Sequence, residues 1–373
     1  MDNLVIVSIA DIHFGSMNPE YQYNILREQF LNKIETMNII DIITICGDYF
    51  DHKCMANSNT IMYSIKFFND LANICIRKNI SLILLAGTKE HDNDQLRLFY
   101  NYLENKSLDL RIVERTGFEY VKGIKILCIP EEYNKSNEYY DMYLNNEIYD
   151  MCIVHGMYKG AVYHNQEINV DDKFNNRIKI FTIDDFKLCR GLIIAGHVHT
   201  QGCFDKYFYY CGSPYRWTFG DEGPKGFLIT LFDLETRIHY THFEEVECMK
   251  YITINIDDIL SLPPEVIIEE ITKMSNDIEY VRINVNTYTD DNIPTINILK
   301  KYYKSNNNIK INIKNVEKEK MNNELNSLSE KYSKYEYLLD KNLNCYDKLI
   351  RYINEMEGTC FKTEHLIDIL REE

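Results

Sequence analysis

Short runs of apolar residues recur along the first half of the chain, and each is followed by a polar turn. Runs of about four to eight residues rich in Ile, Val and Leu are typical of strands buried on both faces of a sheet. Between the first three runs, apolar residues repeat at helical spacing over roughly 20–38 and 57–79. Alternating strands and helices predict a layered α/β fold. The apolar runs lie at 3–10, 39–46, 80–86, 124–130, 150–155 and 191–195.

The second half of the chain adds a further sheet and a smaller unit. Near 205–243 the sequence has strand–turn–strand patterns, which we expect to build a second sheet and therefore a four-layer α/β/β/α sandwich. Residues 251–286 then predict a strand, a helix that begins near Pro264 and another strand. A helix near 294–304 and a strand near 309–313 complete a small α/β domain.

The last part of the chain, from residue 317, is charged and carries an apolar stripe at helical spacing. Amphipathic helices of this kind usually dock on a surface, either that of their own domain or that of a partner. With 373 residues, 45% of them hydrophobic, the chain can bury sizeable cores, and its length favours two or three domains. We therefore divide it into residues 1–245, 246–316 and 317–373.

Charge and cysteine content restrict the class of protein. The formal net charge of −16 argues against a protein that wraps nucleic acid over its whole surface, although a nuclease with local DNA contacts stays compatible. The 11 cysteines include no CxxC pair, so we interpret them as core residues in a reducing compartment. No apolar run reaches the roughly eighteen residues of a membrane helix, and we expect a cytoplasmic protein without a signal peptide.

Polar side chains gather where the predicted strands end. Five of the six apolar runs end at motifs that contain an acidic residue or a histidine. The carboxyl ends of parallel strands converge on one edge of a sheet, so these side chains should meet. Carboxylates and imidazoles without thiolates suit a pair of divalent ions such as Mn²⁺ or Mg²⁺. The residues that follow the strands are Asp11, His13, Asp48, Asp51, His52, Glu90, His91, Asp92, His155, His197 and His199.

Each of these signals is weak by itself. An Asp-x-His pair is more often a capped turn, and a single histidine such as His155 is more often a hydrogen-bonded core residue. Their order along the chain, each after a buried strand, argues against a purely structural role for all of them. The sequence therefore predicts a two-metal site.

The motifs Asp-x-His, Gly-Asp, His-Asp, His and Gly-His-x-His over residues 11–199 resemble those of the calcineurin-like metallophosphoesterase superfamily. More narrowly, the chain resembles the SbcD-type nuclease subunit of the SbcCD exonuclease and related phage or viral recombination nucleases. This narrower resemblance rests on "YYCGSPYRWTFGDEGPKGF" (209–227), on the strand "EYVRINVN" and on the helical tail. It implies a metallophosphoesterase nuclease domain at 1–245, an α/β DNA-binding cap at 246–316 and a helical ATPase-binding region at 317–373.

The resemblance also implies which residues hold the metal ions. One aspartate would bridge the two ions by giving one oxygen to each, and this residue would be Asp48. The other ligands of the first ion would be Asp11, His13 and His199. Those of the second ion would be His155, His197 and the residue in place of the family's asparagine.

Three further roles follow from the same resemblance. His91 would lie near the scissile phosphate and stabilise or protonate the leaving oxygen, and Asp92 would orient its imidazole. His52 would contact a substrate phosphate, or else support a neighbouring side chain or cap a helix.

The stretch Gly87-Thr88-Lys89-Glu90-His91-Asp92 departs from the family pattern Gly-Asn-His-Asp. Counting back from His91, we expect Glu90 to take the place of the asparagine and to offer a carboxylate oxygen to the metal. Alternatively, the longer loop turns Glu90 towards solvent and another group or a water completes the ligand set. The retained histidine favours an active site over a dead one.

Two groups of residues could contact DNA. Tyr215, Arg216 and Trp217 could stack on bases or grip a phosphate, or they could form an aromatic cluster at the edge of the core. A basic run over residues 300–314 could contact the DNA backbone, or it could form a solvated face. The acidic loop 131–150 is expected to be solvated.

We therefore expect a Mn²⁺-dependent DNA phosphodiesterase that acts as a double-strand exonuclease and structure-dependent endonuclease in DNA recombination, repair or replication. The resemblance implies a homodimer with an SbcC-like, SMC-type ATPase subunit. Two alternatives stay open: a small-molecule metallophosphodiesterase, and a catalytically silent scaffold of the ATPase complex.

Overall fold

The computed structural model of the protein describes residues 3–92, 94–163, 166–168, 178–221, 223–286, 291–313 and 343–357. Over these ranges, no helix is long and apolar enough to cross a membrane. The chain divides into two compact units, the first formed by Met1–Ile254 with Thr272–Arg282 and the second by Asn255–Ile271 with Ile283–Glu373. The domain boundaries at residues 245 and 316 stay predictions.

The first sheet has six strands and lies in the larger unit. They are β1 (Asn3–Ile9), β2 (Ile42–Cys46), β3 (Ser81–Leu85), β4 (Asp109–Val113), β15 (Gly226–Asp233) and β16 (His239–Glu245). The order across the sheet is β16-β15-β1-β2-β3-β4. Strands β1 to β4 run parallel, and β15 and β16 form an antiparallel hairpin that pairs with β1.

The second sheet also has six strands. They are β5 (Gly117–Val121), β6 (Ile124–Ile129), β7 (Met151–His155), β12 (Ile193–Gly196), β13 (Gly202–Phe204) and β14 (Phe208–Tyr210). The order is β13-β14-β12-β7-β6-β5, with a parallel centre and one antiparallel strand at each edge.

The described residues form seven further strands, four of only two residues and three that follow β16 in the chain. The pairs β8 (Met157–Tyr158) with β11 (Ile180–Phe181), and β9 (Val162–Tyr163) with β10 (Gln166–Glu167), are each two-stranded. A three-stranded sheet contains, in order, β17 (Tyr251–Asn255), β18 (Tyr280–Val285) and β19 (Ile309–Ile313).

The helices alternate with the strands as the sequence predicted. The α-helices are α1 (Pro19–Ile25), α2 (Asn32–Thr36), α3 (Asn59–Lys78), α4 (Lys89–Asp92), α5 (Asn137–Leu144), α6 (Pro264–Met274), α7 (Ile293–Tyr303) and α8 (Cys345–Glu357). A π-helical segment, Leu26–Leu31, joins α1 to α2. The 3₁₀ helices are Gln95–Glu104, Ile183–Phe186 and Asp257–Ile259.

Helix α3 illustrates how local sequence sets these elements. Ser58 caps its first turn, because the hydroxyl accepts the backbone N–H of Ile61 at 3.3 Å. Asn79 ends it in the left-handed conformation, with φ of 55°. In between, Phe67 and Leu71 lie four residues apart on the buried face.

Three apolar cores separate the layers of the larger unit. Strand side chains alternate between faces, so Ile43 of β2 packs against the helices while Ile42 packs against the second sheet. On the far face of the second sheet, Cys152 of β7 packs with Tyr140 of α5. Helices, sheet, sheet and helices therefore follow one another, which confirms the predicted four-layer α/β/β/α sandwich.

Two predictions about this unit were wrong. The hairpin 226–245 extends the first sheet rather than the second. The segment 131–150 is not a solvated loop, because it contains α5 with Tyr140 and Leu144 buried. In both cases the pattern indicated the element or its polarity, but it did not indicate the surface against which the element packs.

The predicted helical stripe over residues 317–342 lies outside the described residues. Helix α8 falls within the predicted C-terminal region, and its Ile350 is 7% exposed.

We expect Phe68→Ala to lower the free energy of unfolding by about 3–5 kcal/mol, because it leaves a cavity in a close-packed core. Phe68 is fully buried, and its ring stacks on that of Phe99 with centroids 4.1 Å apart. Met62→Ala on the same helix is the control, since Met62 is 53% exposed. Urea unfolding followed by circular dichroism measures both. Equal midpoints for the two variants would contradict this assignment of the core.

Candidate metal centre

The candidate site forms where strands of both sheets end. Asp11 follows β1, Asp48 follows β2, His155 ends β7, and His197 follows β12. All four are buried. Asp11, Asp48 and His197 also have positive φ angles of 51°, 51° and 96°. Non-glycine residues rarely adopt this conformation, and the strain concentrates where the surrounding structure holds functional side chains in place.

Glycines allow these strand ends to approach one another. A Cβ on Gly47 would collide with the ring of His155, and Gly47 has a φ of 91°. A Cβ on Gly87 would collide with the Asp48 carboxylate, and one on Gly196 with the carbonyl oxygen of Cys46. The glycines of the motifs are therefore required by close packing at the site.

Asp48 lies at the centre of the cluster. Its Oδ2 is 3.3 Å from Nε2 of His155, 3.6 Å from Nε2 of His13 and 4.0 Å from Nε2 of His91. Burial by itself would raise the pKa of the Asp48 carboxyl, but the imidazoles, with His155 first among them, hold that pKa well below its usual range. Asp48 is therefore a buried carboxylate that keeps its charge.

The imidazole of His155 is oriented by the protein backbone. Its Nδ1 lies 2.8 Å from the carbonyl oxygen of Cys46, which can only accept a hydrogen bond, so Nδ1 carries the proton and Nε2 faces Asp48. Burial lowers the pKa of His155, but Asp48 and Asp11 raise it well above its usual value. A metal ion that binds here would therefore displace a proton.

Three groups of residues could each hold a metal ion. Within each group, the potential ligand atoms lie within 4.8 Å of one another. The groups are Asp11 with His13 and His199, Asp48 with His155 and His197, and His13 with Asp51 and His91. The first two agree with the ligand sets that the resemblance implied for the two ions. That these side chains bind metal ions stays a prediction.

The buried polar atoms fit divalent cations. Among the described residues, neither ring nitrogen of His13 has a hydrogen-bond partner, although its side chain is only 2% exposed. Carboxylates of Asp51 and Asp48 lie 3.3 and 3.6 Å from these nitrogens. A cation between such groups would supply the missing partner, and the oxygen and imidazole donors suit Mn²⁺ and similar ions.

A cavity of about 610 Å³ opens onto the cluster. It is lined by His13, Asp48, Asp51, Thr88, His91, Glu131, Tyr133, Met157, Val162, Ile178, His197, His199, Thr200, Trp217, Thr218, Phe219, Gly220 and Asp221. Carboxylates and imidazoles line its floor, and aromatic and polar side chains line its walls, as in many ligand sites.

The structure places Glu90 away from the metal groups. Glu90 is exposed, and its carboxylate accepts a hydrogen bond from the Tyr133 hydroxyl at 2.5 Å. It lies in the short helix α4, where successive side chains turn by about 100°, so Glu90 cannot share the inward direction of Asp92. The expectation that Glu90 replaces the family's asparagine is therefore corrected.

Thr88 takes the place that was expected for Glu90. It directly follows Gly87 and lines the cavity. Its backbone N–H donates to Oδ1 of Asp48 at 2.6 Å, and its hydroxyl donates to Oδ2 of Asp48 at 3.2 Å. The family's asparagine therefore corresponds by position to Thr88, with the extra residues inserted after it rather than before it.

Asp92 does not orient His91. Its carboxylate accepts the backbone N–H of Gly87 at 2.7 Å and that of Phe50 at 3.0 Å. Burial, and then repulsion from Asp48, raise the pKa of Asp92 to about 6. Asp92 therefore holds the loops after β2 and β3 together, and the predicted contact with the imidazole is corrected.

His91 is oriented by a different group, the carbonyl oxygen of Asp51, which is next to its Nδ1. The His91 side chain is 34% exposed, and its ring lies 4.6 Å from that of His13 between centroids. His52 is more remote: its side chain is 58% exposed, and its Nδ1 contacts Asp51 Oδ2 at 2.9 Å. A direct role for His52 stays a prediction.

The three predicted substrate-binding residues separate in the structure. Tyr215 is fully buried, and its hydroxyl contacts the carbonyl of Ile12 and accepts from Gln22 at 2.9 Å. Tyr215 is therefore part of the core below the site, which corrects its predicted role. Arg216 donates to the carbonyl of Gly223 at 2.7 Å, which ties down its own loop.

Trp217 is the member of this group that lines the cavity. Its ring centroid lies 5.0 Å from that of His13 and 4.9 Å from that of His199. It is therefore placed to contact a substrate bound over the metal groups.

Lys225 and Asp221 form a buried ion pair beside the site that the sequence reasoning missed. Lys225 is fully buried, contacts the Asp221 carboxylate and donates to the carbonyl oxygen of His199 at 2.7 Å. Burial raises the pKa of Asp221 and lowers that of Lys225. Their four-residue spacing within "DEGPK" does not by itself distinguish them from a solvated pair.

Comparison with known proteins agrees with this geometry. Residues 4–201, more than half of the chain, match the calcineurin-like phosphoesterase family. The chain belongs to the calcineurin-like phosphoesterase family. The fold and the aspartate–histidine groups accordingly define a metal-dependent phosphoesterase. A comparison with curated protein sequences found no match.

Two solved structures are similar to part of this chain. The crystal structure of TT1561 of Thermus thermophilus aligns with 65% of this chain and 99% of its own, at 13% identity and a TM-score of 0.37. Another crystal structure aligns with 65% of this chain and 100% of its own, at 11% identity and a TM-score of 0.36. TM-scores this low do not establish a shared fold, so the family assignment rests on the sequence match.

We expect Mn²⁺ to raise the unfolding temperature of the chelator-treated protein, because a ligand that binds only the folded state stabilises it by about 2.7 kcal/mol at 100 times its Kd. Asp48→Asn should lose most of this increase, since Asp48 faces both metal groups. Asp184→Asn is the control, because Asp184 is 78% exposed. Differential scanning calorimetry with and without Mn²⁺ measures the increase. An unchanged increase in Asp48→Asn would contradict the assigned site.

We expect Lys225→Met to lower the free energy of unfolding by about 3–5 kcal/mol, because it leaves the Asp221 carboxylate buried without its partner. The double variant Lys225→Met/Asp221→Leu should recover most of this loss, since no unpaired charge is left. Urea unfolding in the presence of chelator measures both. If the single variant were as stable as the double variant, the ion pair would not have the role described.

Proposed function

We propose that this phosphoesterase is a Mn²⁺-dependent nuclease that hydrolyses DNA phosphodiester bonds as an exonuclease and structure-dependent endonuclease. The observation that carries the proposal is that His91 and Trp217 flank the metal groups within one cavity. His91 offers a group for proton transfer, and Trp217 offers a ring face for a nucleotide base. Together they provide what a phosphodiester between two nucleosides requires.

Two groups of side chains would hold the ions. Asp11, His13 and His199 would hold one, and Asp48, His155 and His197 the other. When bound, divalent ions supply Lewis-acid charge that stabilises the phosphoryl group in the transition state and activate water as a nucleophile. Asp48, which lies close to His13 and His155 of the two groups, would be shared between them.

His91 would deliver a proton to the leaving oxygen. Because Nδ1 donates to the carbonyl oxygen of Asp51, Nε2 is the nitrogen that faces the cavity and Asp48. The partial exposure of His91 allows the proton to be replaced from solvent after each turnover.

The aromatic wall supports a nucleic acid substrate. Trp217 and Phe219 both line the cavity and are incompletely buried. Base stacking on such rings is worth about 1–3 kcal/mol per base and does not depend on sequence. A strong overall negative charge would weaken non-specific binding to DNA, so local stacking and metal–phosphate contacts would provide the grip.

We further propose that the protein works as a homodimer with an SbcC-like, SMC-type ATPase. The formal charge of −16 supports this, because a partner would then supply most of the DNA contacts. The charged region from residue 317, for which the sequence predicts helices, would bind the partner. The exposed Lys300 and Lys301 of α7 would contact the DNA backbone.

His91→Ala should lower the kcat of DNA cleavage by about 10²–10⁴-fold, which is the usual contribution of a general acid. The affinity for Mn²⁺ should change little, because His91 belongs to neither of the two groups assigned to the ions. His242→Ala is the matched control, since His242 is 57% exposed on the edge strand β16. The assay uses the purified chain on end-labelled duplex and hairpin DNA, with Mn²⁺, Mg²⁺ or chelator, with and without the ATPase.

The same assay separates the alternatives. Full activity of His91→Ala on DNA would refute the role of that residue. Metal-dependent hydrolysis of bis(p-nitrophenyl) phosphate without DNA cleavage under any condition would favour a small-molecule phosphodiesterase. Absence of hydrolysis of both substrates, together with weak Mn²⁺ binding, would favour a silent scaffold.

A further inference from the structure

Glu131 is a buried carboxylate beside the metal groups that no motif includes. It follows β6 after Pro130, lines the cavity, and has a side chain only 4% exposed. Its Oε2 lies 3.1 Å from Nδ1 of His197. A buried carboxylate in such a position is destabilising unless a cation or a proton donor faces it.

The two histidines of one metal group are oriented in parallel ways. His155 presents Nδ1 to the carbonyl oxygen of Cys46, which leaves Nε2 for Asp48 and the metal. His197 presents Nδ1 to the carboxylate of Glu131, which leaves its Nε2 on the other side of the ring. Carboxylate partners of metal-binding histidines fix the ring orientation and the tautomer, and they make the imidazole a stronger ligand.

Threonine at position 88 makes the contact between Glu131 and His197 more important for the metal group. The family pattern places an asparagine there, whose amide oxygen the resemblance assigns to the second ion. Both polar groups of Thr88 instead donate to Asp48, at 2.6 and 3.2 Å. The group of Asp48, His155 and His197 therefore has a hydroxyl that is bonded to Asp48 where the family has an amide oxygen, and a nearby negative charge would offset the weaker ligand.

Glu131 is placed to provide that charge through a direct contact. Its carboxylate lies 3.1 Å from the ring of His197, and His197 shares a group of closely spaced ligand atoms with Asp48 and His155.

We propose that Glu131 is a positioning residue for the metal group of Asp48, His155 and His197: its carboxylate holds Nδ1 of His197 so that Nε2 faces the ion, and its charge compensates for threonine in place of asparagine at position 88. The proposal rests on the metal dependence of the site and not on DNA as the substrate.

The test measures Mn²⁺ binding in the absence of any substrate. Isothermal titration of the chelator-treated full chain should resolve two binding steps, and Glu131→Ala should weaken one of them by about 10–100-fold, the usual effect of losing a carboxylate partner of a ligand histidine. Glu131→Gln should weaken it less, because its amide oxygen still accepts from Nδ1 but carries no charge. Glu138→Gln, exposed on α5, should bind as the wild type does.

A second variant tests the compensation. Thr88→Asn restores an amide oxygen, so it should recover part of the lost affinity when it is combined with Glu131→Ala. A merely structural role for Glu131 would not predict such a rescue.

The proposal is overturned if Glu131→Ala and Glu131→Gln both bind two Mn²⁺ ions with wild-type affinity, or if Thr88→Asn gives no recovery. Thermal unfolding in chelator shows whether each variant folds, and Glu131→Gln, which keeps the shape of the side chain, serves if Glu131→Ala does not. Failure of DNA cleavage with intact Mn²⁺ binding would count against the nuclease function and not against Glu131.

Discussion

The carboxylate of Asp48 lies within 4.0 Å of imidazole nitrogens from His13, His91 and His155, which come from both sheets. Removing this charge from water costs several kcal/mol in isolation, on the order of 5, and only close partners offset it. Two hydrogen bonds from Thr88 and the facing imidazoles provide that compensation. The rest of the site is arranged around this charge, because each neighbouring group either compensates it or is oriented by it.

Such an arrangement requires the ends of β2, β3, β7 and β12 to lie closer together than ordinary side chains allow. Gly47, Gly87 and Gly196 meet this requirement, since a Cβ at each would overlap His155, Asp48 or the backbone of Cys46. The same three glycines therefore determine both how closely the two sheets pack and where the side chains of the site lie. A substitution at any of these glycines would displace a sheet edge and a ligand at the same time.

Much of this could be predicted from the sequence, because buried parallel strands have a strong local signal. The six apolar runs correspond to β1, β2, β3, β6, β7 and β12, and the aspartates and histidines that follow them meet as expected. What could not be predicted depends on packing between distant segments. Nothing local distinguishes a hairpin such as 226–245 that joins the first sheet from one that joins the second, and nothing local reveals that Tyr215 is buried below Asp11 and His13.

The altered loop after β3 and the acidic residue after β6 are further features that could not be predicted from local sequence. Counting back from His91 predicts Glu90 in place of the family's asparagine. In the structure Glu90 bonds to Tyr133, and Thr88, the residue after Gly87, contacts Asp48 instead. Glu131 directly follows the apolar run 124–130, but it belongs to no motif and is followed by an acidic segment whose sequence is typical of a solvated loop. Yet Glu131 is the residue whose charge reaches His197. Partners of a ligand histidine set its orientation, so the counterpart of a lost motif residue is best sought at the other strand ends that face the same group of ligands.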